Sequence, residues 1–110
     1  MATFDEFLEL DLRVGTVMKA EPLPGALKPA YRMEIDFGLE IGTKRSSGQC
    51  TVNYRPEDLV GRQVIAVVNF PPRRIAGFMS EVLVLAAPDA SGAHVLLAVD
   101  RPVPNGGRIT

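Results

Sequence analysis

The most regular pattern in the chain is Tyr31-Arg32-Met33-Glu34-Ile35-Asp36-Phe37. Tyr31, Met33, Ile35 and Phe37 alternate with Arg32, Glu34 and Asp36, which predicts a strand with one buried and one wet face. Two other runs, Val64–Val68 and Val82–Ala87, are continuously apolar and rich in β-branched residues or Leu. They are too short for ordinary helices and predict strands buried on both faces. Leu10 to Glu21 is a further strand, with Leu12, Val14 and Val17 alternating imperfectly around Gly15. A glycine inside a strand predicts a bulge or sharp coil at that point. Ile41 to Asn53 reads as the next strand, although Lys44 to Gln49 holds no large apolar side chain. Ala93 to Val99 reads as the sixth.

Helical signals are few. Thr3-Phe4-Asp5-Glu6 is a capping box that predicts a short helix over residues 4–9. Its Phe4, Phe7 and Leu8 have helical spacing and would pack on the rest of the fold or serve a partner subunit. Pro56-Glu57-Asp58-Leu59-Val60 predicts one helical turn, with Pro at the first position, Leu59 inward and Gly61 as the stop. Pro88 to Gly92 is a turn, and the tail from Arg101 to Thr110 is extended and turn-rich. Three strands, a helical turn and two more strands is the order of the OB barrel, a five-stranded Greek-key fold, here with an N-terminal helix and an extra C-terminal strand and tail. The expectation is a single all-β domain over residues 1–110.

Composition narrows the function classes. Gly and Pro supply 10 and 9 of 110 residues, as a turn-rich fold of short strands requires. A net charge of −1 argues against a uniformly basic nucleic-acid binder, but the charge is unevenly spread. Residues 1–11 carry Asp5, Glu6, Glu9 and Asp11 and no base; residues 43–80 carry Lys44, Arg45, Arg55, Arg62, Arg73 and Arg74 against Glu57 and Asp58. Cys50 is the only cysteine, so it reads as a small buried hydrophobe, with no disulfide and no cysteine zinc site. His94, the only histidine, stands apart from any suggestive Ser or Cys. No phosphate-binding glycine loop, paired-acid motif or metal-ligand spacing is present. The expectation is a binding protein, not an enzyme, with no cofactor and no metal. The chain opens with neither a signal peptide nor a membrane-length apolar run, which makes the cytoplasm the default compartment.

The candidate chemistry lies between the two apolar runs. Asn69-Phe70-Pro71-Pro72-Arg73-Arg74-Ile75-Ala76-Gly77-Phe78-Met79-Ser80-Glu81 joins a stiff Pro-Pro pair to an Arg pair and to apolar side chains. Such a loop on two rigid strands is either a presented site or a well-packed connection with solvated arginines. Lys44, Arg45, Arg73 and Arg74 would neutralise phosphate, with arginine able to fork onto it or stack on a base. Ser46, Ser47, Gln49, Asn69 and Ser80 would bond sugar, phosphate or base edges. The polar strand is equally readable as a solvated edge, and Asn69 as a brace for the loop that follows it. Phe70, Ile75, Phe78 and Met79 would form an apolar cleft for extended peptide.

These motifs also carry a resemblance. Asp11-Leu12-Arg13-Val14-Gly15, Ile35-Asp36-Phe37-Gly38, Ser46-Ser47-Gly48-Gln49, Val67 to Leu83 and Pro102-Val103-Pro104-Asn105-Gly106 resemble the CsaA proteins, bacterial secretion-associated chaperones. Those proteins are similar in turn to stand-alone tRNA-binding proteins and to domains appended to some methionyl- and phenylalanyl-tRNA synthetases. The resemblance implies an OB fold, a homodimer, tRNA as partner and no catalysis. For the CsaA branch it further implies binding of unfolded or precursor proteins bound for the export machinery. The chain departs from the CsaA pattern at Gly48 and Cys50, where Ala and Ile are expected, which would loosen the third strand slightly.

Overall fold

The computed structural model describes all 110 residues, Met1–Thr110. The elements run α1 (Phe4–Leu8), β1 (Leu12–Pro22), β2 (Tyr31–Asp36), α2 (Gly38–Ile41), β3 (Thr43–Gly48), α3 (Pro56–Leu59), β4 (Gln63–Val67), β5 (Arg73–Ile75), β6 (Phe78–Ser80), β7 (Leu83–Val84), β8 (Ala86–Pro88) and β9 (His94–Leu96). Five strands form one antiparallel sheet in the order β3-β2-β1-β4-β7, and two hairpins, β5–β6 and β8–β9, stand beside it. The sheet is a nearly closed barrel of the OB type, with α3 between its third and fourth strands as the sequence predicts.

Closure between β3 and the far end of the sheet runs through a few hydrogen bonds rather than a full ladder. The Glu81 N–H donates to the Arg45 carbonyl at 2.8 Å, and the Glu81 carboxylate accepts from the Arg45 N–H at 3.0 Å. The Ser47 N–H donates to Ser80 Oγ at 3.0 Å, and Ser46 Oγ donates to the Val82 carbonyl at 3.1 Å. Inside, Val17, Met33, Ile35, Phe37, Leu59, Val64 and Ala66 form the buried core. The alternating face of β2 supplies Met33 and Ile35, and Phe37 continues it one residue beyond the strand, as the pattern requires.

Several expected boundaries move. The third strand starts at Thr43 and ends at Gly48, because residues 38–41 form a helical turn before it and residues 51–53 a turn after it. The run Val82–Ala87 is not buried on both faces: Leu83 is exposed, and the run divides between β7, paired with β4, and β8, paired with β9. The sixth strand contracts to His94–Leu96. The register of β1 on β2 shifts at Met18, between Val17 and Lys19, so the bulge falls three residues after Gly15. Gly15 serves packing instead: a Cβ there would lie 2.7 Å from both Ile35 Cγ2 and Phe37 Cδ1.

The tail is part of the sheet. Where β2 leaves the first half of β1, residues 106–109 take its place, with the Gly106 N–H bonded to the Val14 carbonyl and the Ile109 N–H to the Leu12 carbonyl. Asn105 Oδ1 accepts from Thr16 Oγ1 at 2.7 Å and fixes the entry. The predicted capping box forms, and the helical turn at Pro56 gains a cap that the sequence reading did not name. Thr3 and Glu6 make the reciprocal box of α1, and the Asp58 carboxylate accepts the Arg55 N–H at the start of α3. Yet α1 buries none of its residues: Phe4 is 68% exposed and Leu8 41%. The packing of Phe4 and Leu8 on the rest of the fold, one of the two sequence expectations, is therefore absent, and Phe7 is only half-buried.

Candidate nucleic-acid interface

The loop from Asn69 to Glu81 folds into a tight hairpin. Arg73 pairs with Ser80, Arg74 with Met79 and Ile75 with Phe78. The turn between them puts Ala76 at φ 50° and Gly77 at φ 78°, the two positive values that a two-residue turn matched to strand twist demands. Asn69 anchors the near end of the hairpin to the chain entering β1. Its Oδ1 accepts the Asp11 N–H at 2.9 Å and its amide donates to the Glu9 carbonyl at 2.8 Å. This is the bracing role that the sequence left open.

The hairpin lies against β3. Ser80 receives the Ser47 N–H, and the Arg45 guanidinium sits over the Phe78 ring at 5.5 Å. The arginine loop and the polar strand therefore share one side of the molecule. Because side chains alternate along a strand, Arg73 and Arg74 point to opposite faces of the hairpin. Arg73 lines a cavity of about 420 Å³ together with Ser47, Gln49, Phe70, Ile75, Ser80, Val84 and His94, among others. Arg74 and its partner Met79 stand on the other face.

The nine polar and basic candidates therefore divide by position. Ser47, Gln49, Arg73 and Ser80 line the cavity. Arg45 is adjacent but occupied, its guanidinium 3.6 Å from the Glu81 carboxylate as well as over Phe78. Lys44 is half-buried, opposite Ile35 on β2, and forms no ion pair. Ser46 is fully buried and bonds the Val82 carbonyl, so its hydroxyl seals the barrel. Of the four apolar candidates, Phe70 and Ile75 line the cavity, whereas Phe78 lies under Arg45 and Met79 faces away.

Residues that the sequence did not place in the site complete the wall. Glu81, one position beyond the basic segment, supplies the carboxylate that compensates Arg45 and closes the barrel. His94 arrives from β9, and nothing in its local sequence ties it to residues 14 or more positions away. Gly48 and Cys50, the two departures from the CsaA pattern, both line the cavity. A Cβ at Gly48 would come within 2.8 Å of Met33 Cε and 3.6 Å of the Cys50 sulfur, so an Ala there would require the end of the Met33 side chain to shift. The Cys50 thiol is buried, which pushes its pKa up and leaves it a packing group.

Pairing sorts the cations. Arg13, Lys19, Arg32, Arg45, Arg55, Arg101 and Arg108 each lie within 4 Å of a carboxylate. Among the remaining bases, Lys44, Arg62, Arg73 and Arg74 all belong to the segment from residue 43 to 80, with Arg62 lying over the Tyr54 ring at 5.2 Å. Lys28 is the fifth base without a carboxylate partner, and of the four in the segment Arg73 is the one that lines the cavity, so a polyanion would meet uncompensated positive charge at the hairpin although the molecule carries a net −1.

A family model described as a putative tRNA-binding domain matches residues 12–108. The methionine–tRNA ligase of Methanothrix thermoacetophila is 47% identical over 105 residues, and that of Porphyromonas gingivalis 40% over 106. These matches cover 94% and 96% of this chain but 15% of each ligase, so the chain spans about one-seventh of the length of those relatives. Two crystal structures of CsaA chaperones superpose over 100% of the chain. The one from Bacillus anthracis has a TM-score of 0.93 and 56% identity and is covered over 99% of its length; the one from Picrophilus torridus has 0.92 and 44% and is covered over 100%. With the family model covering almost the whole barrel and neighbours of this identity matching end to end, the chain belongs to the tRNA-binding domain family and within it to the CsaA proteins.

Proposed function

We propose that the protein is a non-catalytic RNA-binding module of the cytoplasm that takes tRNA on the side formed by β3 and the β5–β6 hairpin, and that it acts as a homodimer. The single observation that supports the site is Arg73, free of any carboxylate partner, lining one cavity with Ser47, Gln49 and Ser80, with Arg74 on the other face of the same hairpin. Arg73, Arg74 and Lys44 neutralise phosphate; Gln49 and Ser47 offer hydrogen bonds at the strand end; Asn69, Ser46 and Ser80 hold the two elements in register. Each phosphate contact makes affinity salt-dependent, with a slope of about 0.9 per contact. Replacing Arg73→Ala together with Arg74→Ala is expected to weaken tRNA binding and lower the log–log salt slope by about 1 to 2. A gel-shift titration across a salt series measures it, and an unchanged slope would overturn the assignment.

A second activity, chaperone-type binding of precursor proteins, is suggested by the likeness to two CsaA chaperones and by the apolar part of the same cavity, lined by Phe70, Ile75, Val82 and Val84. Material that co-purifies with the chain from cells separates the two. A tRNA fraction carries the first reading, and a mixture of unfolded precursors without RNA carries the second.

A further inference from the structure

The cavity beneath the hairpin has features that phosphate binding alone does not use. Its floor is aliphatic, made by Val82, Val84 and Leu96. Its rim holds one cation without a carboxylate partner, Arg73, and one aromatic ring, Phe70, which is 42% exposed. The side chains of Gln49 and His94 also line it, and neither makes a hydrogen bond within the protein. The one carboxylate in the wall, Glu81, already accepts from Arg45. At about 420 Å³ the space lies near the lower end of the 300–1,000 Å³ typical of small-ligand sites. A duplex is too wide for it, but a single base with its sugar fits.

We propose that this cavity receives one unstacked nucleotide of a bound RNA. Unstacked bases are recognised by stacking on aromatic or guanidinium planes and by hydrogen bonds at their edges. Phe70 supplies the stacking surface, Arg73 the phosphate contact, and the Gln49 amide a donor and an acceptor for the base edge. The apolar floor accepts the face of the base, which every nucleobase presents. An aliphatic side chain of an extended peptide would use the floor but gain nothing from Gln49 and Arg73, whereas a nucleotide uses all three, which favours the nucleotide. The proposal rests on the RNA reading above and adds to it a base contact distinct from the phosphate contacts.

The test titrates the four nucleoside 5′-monophosphates into the full chain and follows backbone amide shifts. Saturable shifts are expected at Gln49, Phe70, Arg73 and His94 in the millimolar range. Ala86→Phe, which fills the cavity from β8 without removing a cation, is expected to abolish them. Gln49→Ala, at an exposed position where folding is not at stake, is expected to weaken them. Ala86→Phe should also reduce tRNA affinity by about 5- to 100-fold, the range set by loss of one stacked base, while leaving the salt slope intact. Shifts that persist in both variants, or a wild-type chain with no shifts at these residues, would overturn the proposal. So would an apolar heptapeptide that shifts the same residues where nucleotides do not. If mononucleotides fill the cavity and tRNA fails to bind, the RNA reading falls and the nucleotide site stands.

Discussion

At Gly15 the absence of a side chain sets how closely β1 packs over β2. A Cβ would overlap Ile35 and Phe37, both fully buried and unable to move outward. Gly→Ala normally gains about 0.4–1 kcal/mol by restricting the unfolded chain. Overpacking a rigid core costs about 1–3 kcal/mol. The second effect is the larger here, so Gly15→Ala is expected to lower the urea midpoint, with an unchanged denaturant slope; a higher midpoint would show that the core can yield. This role was not legible in the sequence, where a glycine within a strand equally signals a bulge, because the neighbours that decide it lie about 20 residues downstream. Ser46 and Asn69 were ambiguous for the same reason. Each is polar in a place where a ligand or the backbone can satisfy it, and only the positions of Val82, Glu9 and Asp11 show that the backbone does. For Arg73, Ser47 and Gln49 the sequence offered a ligand site and a solvated edge on equal terms, and the structure adds that all three line one cavity.

Among the elements, the β8–β9 hairpin is tied by one side chain. Asp89 Oδ1 accepts from the Ser91 hydroxyl at 2.7 Å, the Ser91 N–H at 2.9 Å and the Ala93 N–H at 3.0 Å, while Oδ2 accepts from the Asn53 amide at 3.0 Å. The Ser91 and Asn53 side chains lead in holding its pKa down to about 2, from an ordinary value of 3.8. A carboxylate with a depressed pKa stabilises the fold above its unfolded pKa and loses that contribution as pH falls through the folded one. The hairpin is therefore expected to loosen between about pH 4 and 2, seen as faster amide exchange at Ala93. In Asp89→Ala the same amide should exchange fast at neutral pH and show no step in that window. Retention of the step would assign it to another group. The turn itself was legible, since Pro88-Asp89-Ala90-Ser91-Gly92 carries its own chemistry. The link to Asn53 was not, nor was the splitting of Val82–Ala87 between two sheets, because an apolar run does not say which neighbour each residue pairs with. The strict alternation of β2 fixed its register as read, since a slip of one residue would have buried Arg32, Glu34 and Asp36.

At the scale of the whole molecule, the open question of assembly turns on α1. Five residues cannot hold a helix in water alone. Here the box of Thr3 and Glu6 closes its start, and polar ties secure the chain after it: Arg108 donates to the Leu8 and Leu10 carbonyls, and Asn69 to that of Glu9. The helix is thus held in place without burying its apolar side. Phe4 and Phe7 stack on each other at 6.4 Å with Phe4 and Leu8 open to solvent. Ordering an apolar helix against water is unfavourable unless something covers it, and a second copy meeting it by two-fold symmetry is the simplest cover. Removing residues 1–9 is expected to convert a dimer of about twice 11.9 kDa to monomer by light scattering. Phe4→Ser with Phe7→Ser should do the same while keeping the Glu9 and Asn69 contact. Because two copies carry two basic faces, losing the dimer should lower tRNA affinity by the avidity factor while leaving the affinity of one site for a mononucleotide unchanged. A particle that remains dimeric after both changes would put the interface elsewhere and leave α1 as a bare flap; a fall in both affinities together would mean that α1 supports the barrel through Asn69.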